Sequence, residues 1–175
     1  MTLEFDWVDA FSAKPFGGYG CAVVHGAEDL SDATCMAFVR ETGLVECTFL
    51  GRSSVADWRV RYFMAHREIP FAGHPTVATA ASLHMRGLIS GSRVYIETGA
   101  GVVPVDVGDG AAPVFTMTQI APVFGAAAEA ALVARVGGLD AEDIVAPPRL
   151  VSTGLPFVVT LLRDKQSLRR LTLDE

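Results

Sequence analysis

The sequence predicts an α+β chain, with one complete unit of many short strands and two helices followed by the start of a second. Three observations carry this expectation. Short apolar runs alternate or cluster in the manner of half-buried and buried strands. Two stretches of the first half are bracketed by helix start and stop signals. Gly- and Pro-rich turns separate the runs. With 175 residues, half of them hydrophobic, the chain can build one packed domain, or one and part of another.

The elements follow in order. "LEFDWVDAF" alternates Leu3, Phe5 and Trp7 with acids and reads as a half-buried strand. "AKPFGGYG" is a turn-rich loop, and "CAVVH" a short buried strand. Ser31 or Asp32 caps a helix over "DATCMAFVRET", which Gly43 stops. "VECTFL" and the strictly alternating "DWRVRYFMA" read as strands. Pro75 opens a helix running to about Arg86, with Gly87 as its stop, because a proline in the first turn gives up an N–H that has no partner there anyway. Ala78, Ala80, Ala81 and Ser82 let other backbone pack closely around that helix. "SRVYIET", "GVVPVDV" and "PVFTMTQ" are three further strands joined by Gly-rich turns. The pattern then begins again: "AAAEAALVARVGG" reads as a helix stopped by Gly137-Gly138, "RLVSTGLPFVVTLL" as two strand-like runs, and "KQSLRRL" as a short helix.

Composition excludes several classes of function. A net charge of −6 argues against nucleic acid as the main partner, since phosphate neutralisation needs a basic face. The one basic cluster, Arg163 to Arg170, is interleaved with leucine and reads as a solvated helix face. Cys21, Cys35 and Cys47 form no CxxC pair, so neither a disulfide framework nor a structural zinc site is indicated. "MTLEFDW" carries acids where a signal peptide needs a positive n-region, and no apolar run has membrane-spanning length. The cytoplasm is the expected compartment, and no membrane partner is expected.

Among residues able to do chemistry, Glu46 stands out, an acid in an otherwise apolar strand-like run. Desolvation raises a carboxyl pKa toward the range of a good proton acceptor and donor. The plainer alternative is a glutamate on the solvent face of an edge strand. Cys47, next door, points to the opposite face and reads as core. The start of the Pro75 helix suits a carboxylate or phosphate, with Gly73 allowing close approach. His74 at that turn can hold an anion or move a proton, or merely cap its own loop. His66 and His74 lack the spacing and acidic partner of a zinc motif. "GGYG" lacks the Lys and Ser/Thr of a phosphate loop.

Four segments, "DAFSAKPFGG…CAVV", "VECTF", "RYFMAHREIPFAGHPTVATA" and "VSTGLPFVV", occur in an order that resembles the PhzF-like phenazine-biosynthesis isomerase family. The resemblance implies the diaminopimelate-epimerase fold: two similar domains, each a curved mixed sheet wrapped around a central helix, with the active site in the cleft between them. It implies a complete first domain over residues 1–118, centred on the Pro75 helix, and an incomplete second over 119–175. It further implies cofactor-independent proton transfer on a small, cyclic, amino acid-like carboxylate, with Glu46 as acid/base and Gly73, His74 and Pro75 facing the substrate. Three departures stand out. The family's G-N-P is Gly18-Tyr19-Gly20, the serine before the glutamate is Val45, and the second-domain Asp-Pro-x-Thr-Gly-Ser-Ala type segment is missing.

Three functions follow from these observations. The first is an isomerase of that family, without cofactor or metal. The second is a truncated or degenerate homologue that binds a ligand or partner without turnover. The last is a racemase using opposed thiolates, which would need a cysteine where His74 stands. The apolar "LVSTGLPFVVTLL" segment is expected to remain uncovered, leading to a homo-oligomer or a partner that completes the second domain.

Overall fold

The computed structural model describes residues 2–110 and 112–173. The chain divides into two compact units, Met1–Ile120 and Ala121–Glu175.

The first unit begins with β1 (Glu4–Ala10) and β2 (Tyr19–His25), then α1 (Asp32–Thr42), β3 (Cys47–Gly51), β4 (Trp58–Phe63) and the two-residue β5 (Glu68–Ile69). It continues with α2 (Gly73–Met85), β6 (Arg93–Thr98), β7 (Gly101–Val107) and β8 (Phe115–Met117). Its mixed sheet has the order β1-β2-β3-β4-β6-β7-β8, with β5 paired to β4. β2 and β3 are parallel and joined through α1, while β4 and β6 are parallel and joined through α2. Because β3 and β4 are antiparallel, the two crossovers step the same way across the sheet from strands of opposite direction. Such connections are right-handed almost without exception, which forces α1 and α2 onto opposite faces.

The cores confirm this separation. Cys21, Val23, Leu50, Val60, Tyr62, Ile96 and Val105 pack with Ala78, Ala80 and Leu83 of α2. Ala22, Val24, Cys47, Phe49 and Phe63 pack with Cys35 and Val39 of α1. The strict alternation along β2 and β3 follows from the two-residue period of a strand. Helix α2 touches β1 and β2 at one end of the sheet and β7 and β8 at the other, so the sheet has to curl around it. Ala78, Thr79, Ala80 and Ser82 are fully buried, and their small size permits that enclosure. The unit therefore has the expected α+β architecture of a curved sheet around a central helix.

Helix boundaries follow local chemistry. Ser31 caps α1 by accepting the Thr34 N–H, and Gly43 ends the helix in the left-handed region at φ 68°. α2 starts at Gly73, two residues earlier than Pro75 alone indicates, and Pro75 occupies its third position. That position is still one of those whose N–H has no intrahelical acceptor, so the proline is tolerated equally well there. At the other end the Gly87 N–H reaches the His84 carbonyl and the Leu88 N–H the Leu83 carbonyl, the paired bonds of a Schellman stop.

Three expectations are corrected. β1 is half-buried, but Val8 and Ala10 face the core while Phe5 and Trp7 remain about half exposed. Asp6 turns inward because it has partners there: Arg86 holds both carboxylate oxygens at 2.7 and 2.9 Å, and Ser82 and His25 bond one of them. Strand β3 begins at Cys47, so Glu46 stands at its entry and not within it. In the second unit the first part of the alanine-rich run is strand, since Ala126 and Ala127 belong to β9.

That second unit comprises β9 (Val123–Ala127), α3 (Ala130–Val136), a 3-10 turn at Ala141–Asp143, β10 (Arg149–Ser152), β11 (Pro156–Val159) and α4 (Lys165–Arg170). The strands form an antiparallel sheet in the order β11-β10-β9. Its interior is partly polar. Buried Asp143 accepts two bonds from Arg170 at 2.7 and 2.8 Å and one from Ser167. The basic cluster is therefore not merely solvated, since Arg170 ties α4 to the preceding turn. Phe157, Val158 and Val159 are each about half exposed or more. Because neighbouring strand residues point to opposite faces, neither face of β11 is covered.

Candidate active site

The parity of β3 decides where Glu46 points. Thr48 and Leu50 face α2 while Cys47 and Phe49 face α1, so Glu46 lies on the α2 side, beside the first turn of that helix. There its Oε2 is 3.6 Å from Nδ1 of His74. The pair is within Coulombic reach, but the separation is too long for a good hydrogen bond. Both side chains are largely buried. Burial pushes the Glu46 carboxyl up from its ordinary value. Burial likewise pulls His74 down to about 4, against a smaller opposing pull from the Gly20 carbonyl. Desolvation thus drives both groups toward their neutral forms, and the pair shares a site without being a fixed ion pair.

Three further features complete the geometry. Ala72, the residue before α2, provides no side-chain cap, so the N–H groups of Gly73 and His74 are available to an anion. A Cβ on Gly73 would lie 3.7 Å from Gln119 Nε2 and 3.8 Å from Met117 Cε, ordinary contacts that leave the position open only to something small. Tyr19, the first residue of β2, lays its ring against the His74 imidazole, with centroids 4.2 Å apart and planes at 77°. Beneath them Thr76 donates to the Ala72 carbonyl at 2.7 Å, and its oxygen lies 2.6 Å from the Tyr62 hydroxyl. Since the threonine proton is already committed, Tyr62 donates to it.

The structure brings Glu46, at the entry to β3, together with Gly73 and His74, the first two residues of α2. Pro75 is buried and has no N–H to offer, so it shapes the turn. Gln119 is not singled out in the sequence, and Tyr19 enters there only as a departure from the family's G-N-P segment. Tyr19 was visible as the one side chain in Gly17-Gly18-Tyr19-Gly20, whereas nothing local marked Gln119.

Other clusters carry less chemistry. Cys47 is fully buried toward α1 with its thiol pushed up by burial, and Cys21 is pushed up to about 12. Neither is placed to act as a thiolate, which counts against the cysteine-based racemase. Ser82, His25 and Asp6 meet near the far end of α2, yet Ser82 is fully buried, and the cluster serves as a clasp. A groove of about 450 Å³ runs between β1, the loop after it and the Val77–Ala81 flank of α2, but Asp9 is the one ionisable side chain among its described lining residues. Asp9 is already bonded to the Phe16 N–H at 2.7 Å. Among the described residues no three His, Cys, Asp or Glu side chains converge on a metal position. No helix among them is long and apolar enough to cross a membrane.

The model of the family described as phenazine biosynthesis-like protein matches residues 8–175. The chain belongs to that family. A trans-2,3-dihydro-3-hydroxyanthranilate isomerase from Pseudomonas aeruginosa is 38% identical over 98 residues, a stretch that is 55% of this chain and 34% of that enzyme. The crystal structure of a PhzF-family phenazine biosynthesis protein from Bacillus anthracis superposes with a TM-score of 0.80 at 30% identity, covering 99% of this chain and 60% of the other. A predicted epimerase from Pseudomonas aeruginosa gives 0.87 at 30% identity, with 99% and 64% coverage. The chain thus spans less than two thirds of these relatives' lengths. The family includes isomerases, and the curved mixed sheet around a central helix that the resemblance implies is present in the first unit.

Proposed function

We propose that this family member contributes the acid/base wall of an isomerase acting on a small carboxylate, with Glu46 moving the proton. The observation that carries this reading is the Glu46–His74 pair at the uncapped start of α2. The substrate carboxylate accepts the Gly73 and His74 N–H groups, helped by the helix dipole. That places the substrate's carbon skeleton against Glu46. In its ionised form Glu46 takes a proton from one carbon and, now neutral, returns it to another, so no net charge or electron is gained or lost. Its raised pKa suits both steps, since it holds the proton more readily than an exposed glutamate does. Neutral His74 orients the carboxyl without neutralising the substrate's charge. A cyclic amino acid-like carboxylate fits this placement, the proton transfer as written calls for no cofactor, and the cytoplasm is the proposed setting.

The test is solvent exchange. The chain is incubated in D2O with trans-2,3-dihydro-3-hydroxyanthranilate, the compound named for the isomerase relative, and deuterium entering carbon positions is read by NMR. Exchange should occur in the unsubstituted chain and fall by about a thousandfold or more in Glu46→Gln, as expected for loss of an acid/base group. Unchanged exchange in the variant would refute the role.

A second reading, binding without turnover, draws support from the uncovered β11 strand. On that reading the second unit associates with another copy or a partner, and the first holds a carboxylate but exchanges no proton. Saturable carboxylate binding with no deuterium entry in any variant would favour it.

A further inference from the structure

Tyr19 pairs with Ala10 across the β1–β2 ladder and shares strand parity with Cys21 and Val23, which face α2. Its neighbours Gly18 and Gly20 have no side chains, so its ring alone represents this segment over His74. The flanking glycine at position 18 is needed for that path, since a Cβ there would collide with the Ala10 carbonyl oxygen and come within 2.9 Å of Asp9 Cβ. The ring is about half exposed, and its hydroxyl makes no hydrogen bond with another described residue. Edge-to-face contact of this kind is attractive and strongly directional. We propose that Tyr19 is a positioning residue of the site: its ring, packed edge-to-face on the imidazole, fixes the plane of His74 beside Glu46 and shuts water away from it.

The surroundings of His74 leave this work to the ring. Glu46, at the entry to β3, is the acid that faces it, and its carboxyl is itself turned toward the neutral form by burial. The Gly20 carbonyl of β2 favours the protonated imidazole. Tyr62 of β4 is committed to Thr76, and Asp9 of β1 to Phe16. Nε2 of His74 is buried and has no partner among the described residues. Protonating the ring would therefore place an unsolvated N–H beside an aromatic side chain, and exclusion of water is what opposes it. Tyr19 is a half-exposed group packed directly on that imidazole. The phenol hydroxyl plays no part, so phenylalanine should serve as well as tyrosine.

The inference rests on reading Glu46 and His74 as the working pair, and its test is separate from that reading. Imidazole proton resonances of His74 are followed by NMR through a pH titration of the full chain, with His25, His66 and His84 as internal controls. In the unsubstituted chain and in Tyr19→Phe, His74 should titrate near the value of about 4 and show ring-current-shifted resonances. In Tyr19→Ala and Tyr19→Leu the titration should rise toward the ordinary value by about one pH unit or more, and the ring-current shift should vanish. An unshifted His74 in the unsubstituted protein would overturn the proposal without any variant. So would a titration unmoved in both aliphatic variants, or a change in Tyr19→Phe equal to theirs. Failure of the acid/base reading appears instead as deuterium exchange indifferent to Glu46→Gln.

Discussion

Glu46 and His74 store the same kind of cost, a titratable group held where water cannot solvate its charge. For Glu46 the native pKa is raised, so the folded state holds a proton more readily than the unfolded chain and loses stability as pH rises through that window. Glu46→Gln should therefore raise the melting temperature at neutral pH while abolishing exchange. Equal or lower stability of the variant would show that the carboxylate is better accommodated than its burial indicates. For His74 the native pKa is lowered, so the unfolded chain binds the extra proton between about 4 and the ordinary 6.5, and this site adds stability as pH rises across that range. Gly73 separates folding from binding. A Cβ there would make only ordinary van der Waals contacts, so Gly73→Ala should fold normally, with a gain of up to about 1 kcal/mol from lower chain entropy. It should nevertheless bind a carboxylate such as benzoate at least about tenfold more weakly in calorimetry. Undiminished binding would remove the anion from the helix start. Glu46 could be picked out in the sequence as an acid among apolar residues. Its partnership with His74 could not be derived from the pattern alone, because it depends on β3 and α2 meeting across a sheet face.

Helices and strands were legible to different degrees, for physical reasons. α1 carried its own cap and stop, Ser31 and Gly43, and its bounds follow from local bonds. α2 had an uncapped start, so nothing local distinguished Gly73 from Pro75 as its first residue. β1 misled in parity because Phe5 and Trp7 suggest the buried face, whereas the clasp of Asp6 with Arg86, Ser82 and His25 fixes the opposite one. The Arg86 guanidinium, with help from Ser82 and His25, holds the Asp6 carboxyl well below the usual carboxylate range. Its stabilising contribution is present above the unfolded carboxylate pKa and is lost as pH falls through the lower native value. Asp6→Asn should cost about 2 kcal/mol at neutral pH, a moderate figure for breaking a partly buried, hydrogen-bonded ion pair. The deficit should shrink toward the acid limb of a denaturation series. A variant as stable as the parent at every pH would mean the clasp contributes nothing net.

At the scale of the whole molecule, the first unit covers one face of most of its strand and helix runs. The second does not. Leu150, Phe157, Val158, Val159 and Leu161 all remain substantially exposed, as the apolar run around Gly154 led one to expect. Clustered exposed apolar side chains of this kind normally mark an interface. The chain should self-associate in sedimentation equilibrium at micromolar concentration, and Phe157→Glu should shift it toward monomer with unchanged far-UV circular dichroism. A parent chain that stays monomeric across the concentration range would assign the surface to a different partner or to none. An interface of this kind is not legible in local sequence, since a covering surface distant in sequence or on another chain leaves no local periodicity.

The clasp at the end of α2 also has a consequence in time. The bonds from Asp6 to Ser82 and to Arg86 join residues 76 and 80 positions apart, linking the first strand of the sheet to a helix formed from the middle of the chain. Contacts of such long sequence separation are costly to close before the intervening β2, α1, β3 and β4 have assembled. The clasp is thus expected to fasten late, after the rate-limiting barrier. Loosening it should leave the refolding rate nearly unchanged and quicken unfolding, so that these few polar groups govern how long the folded chain persists more than how fast it forms.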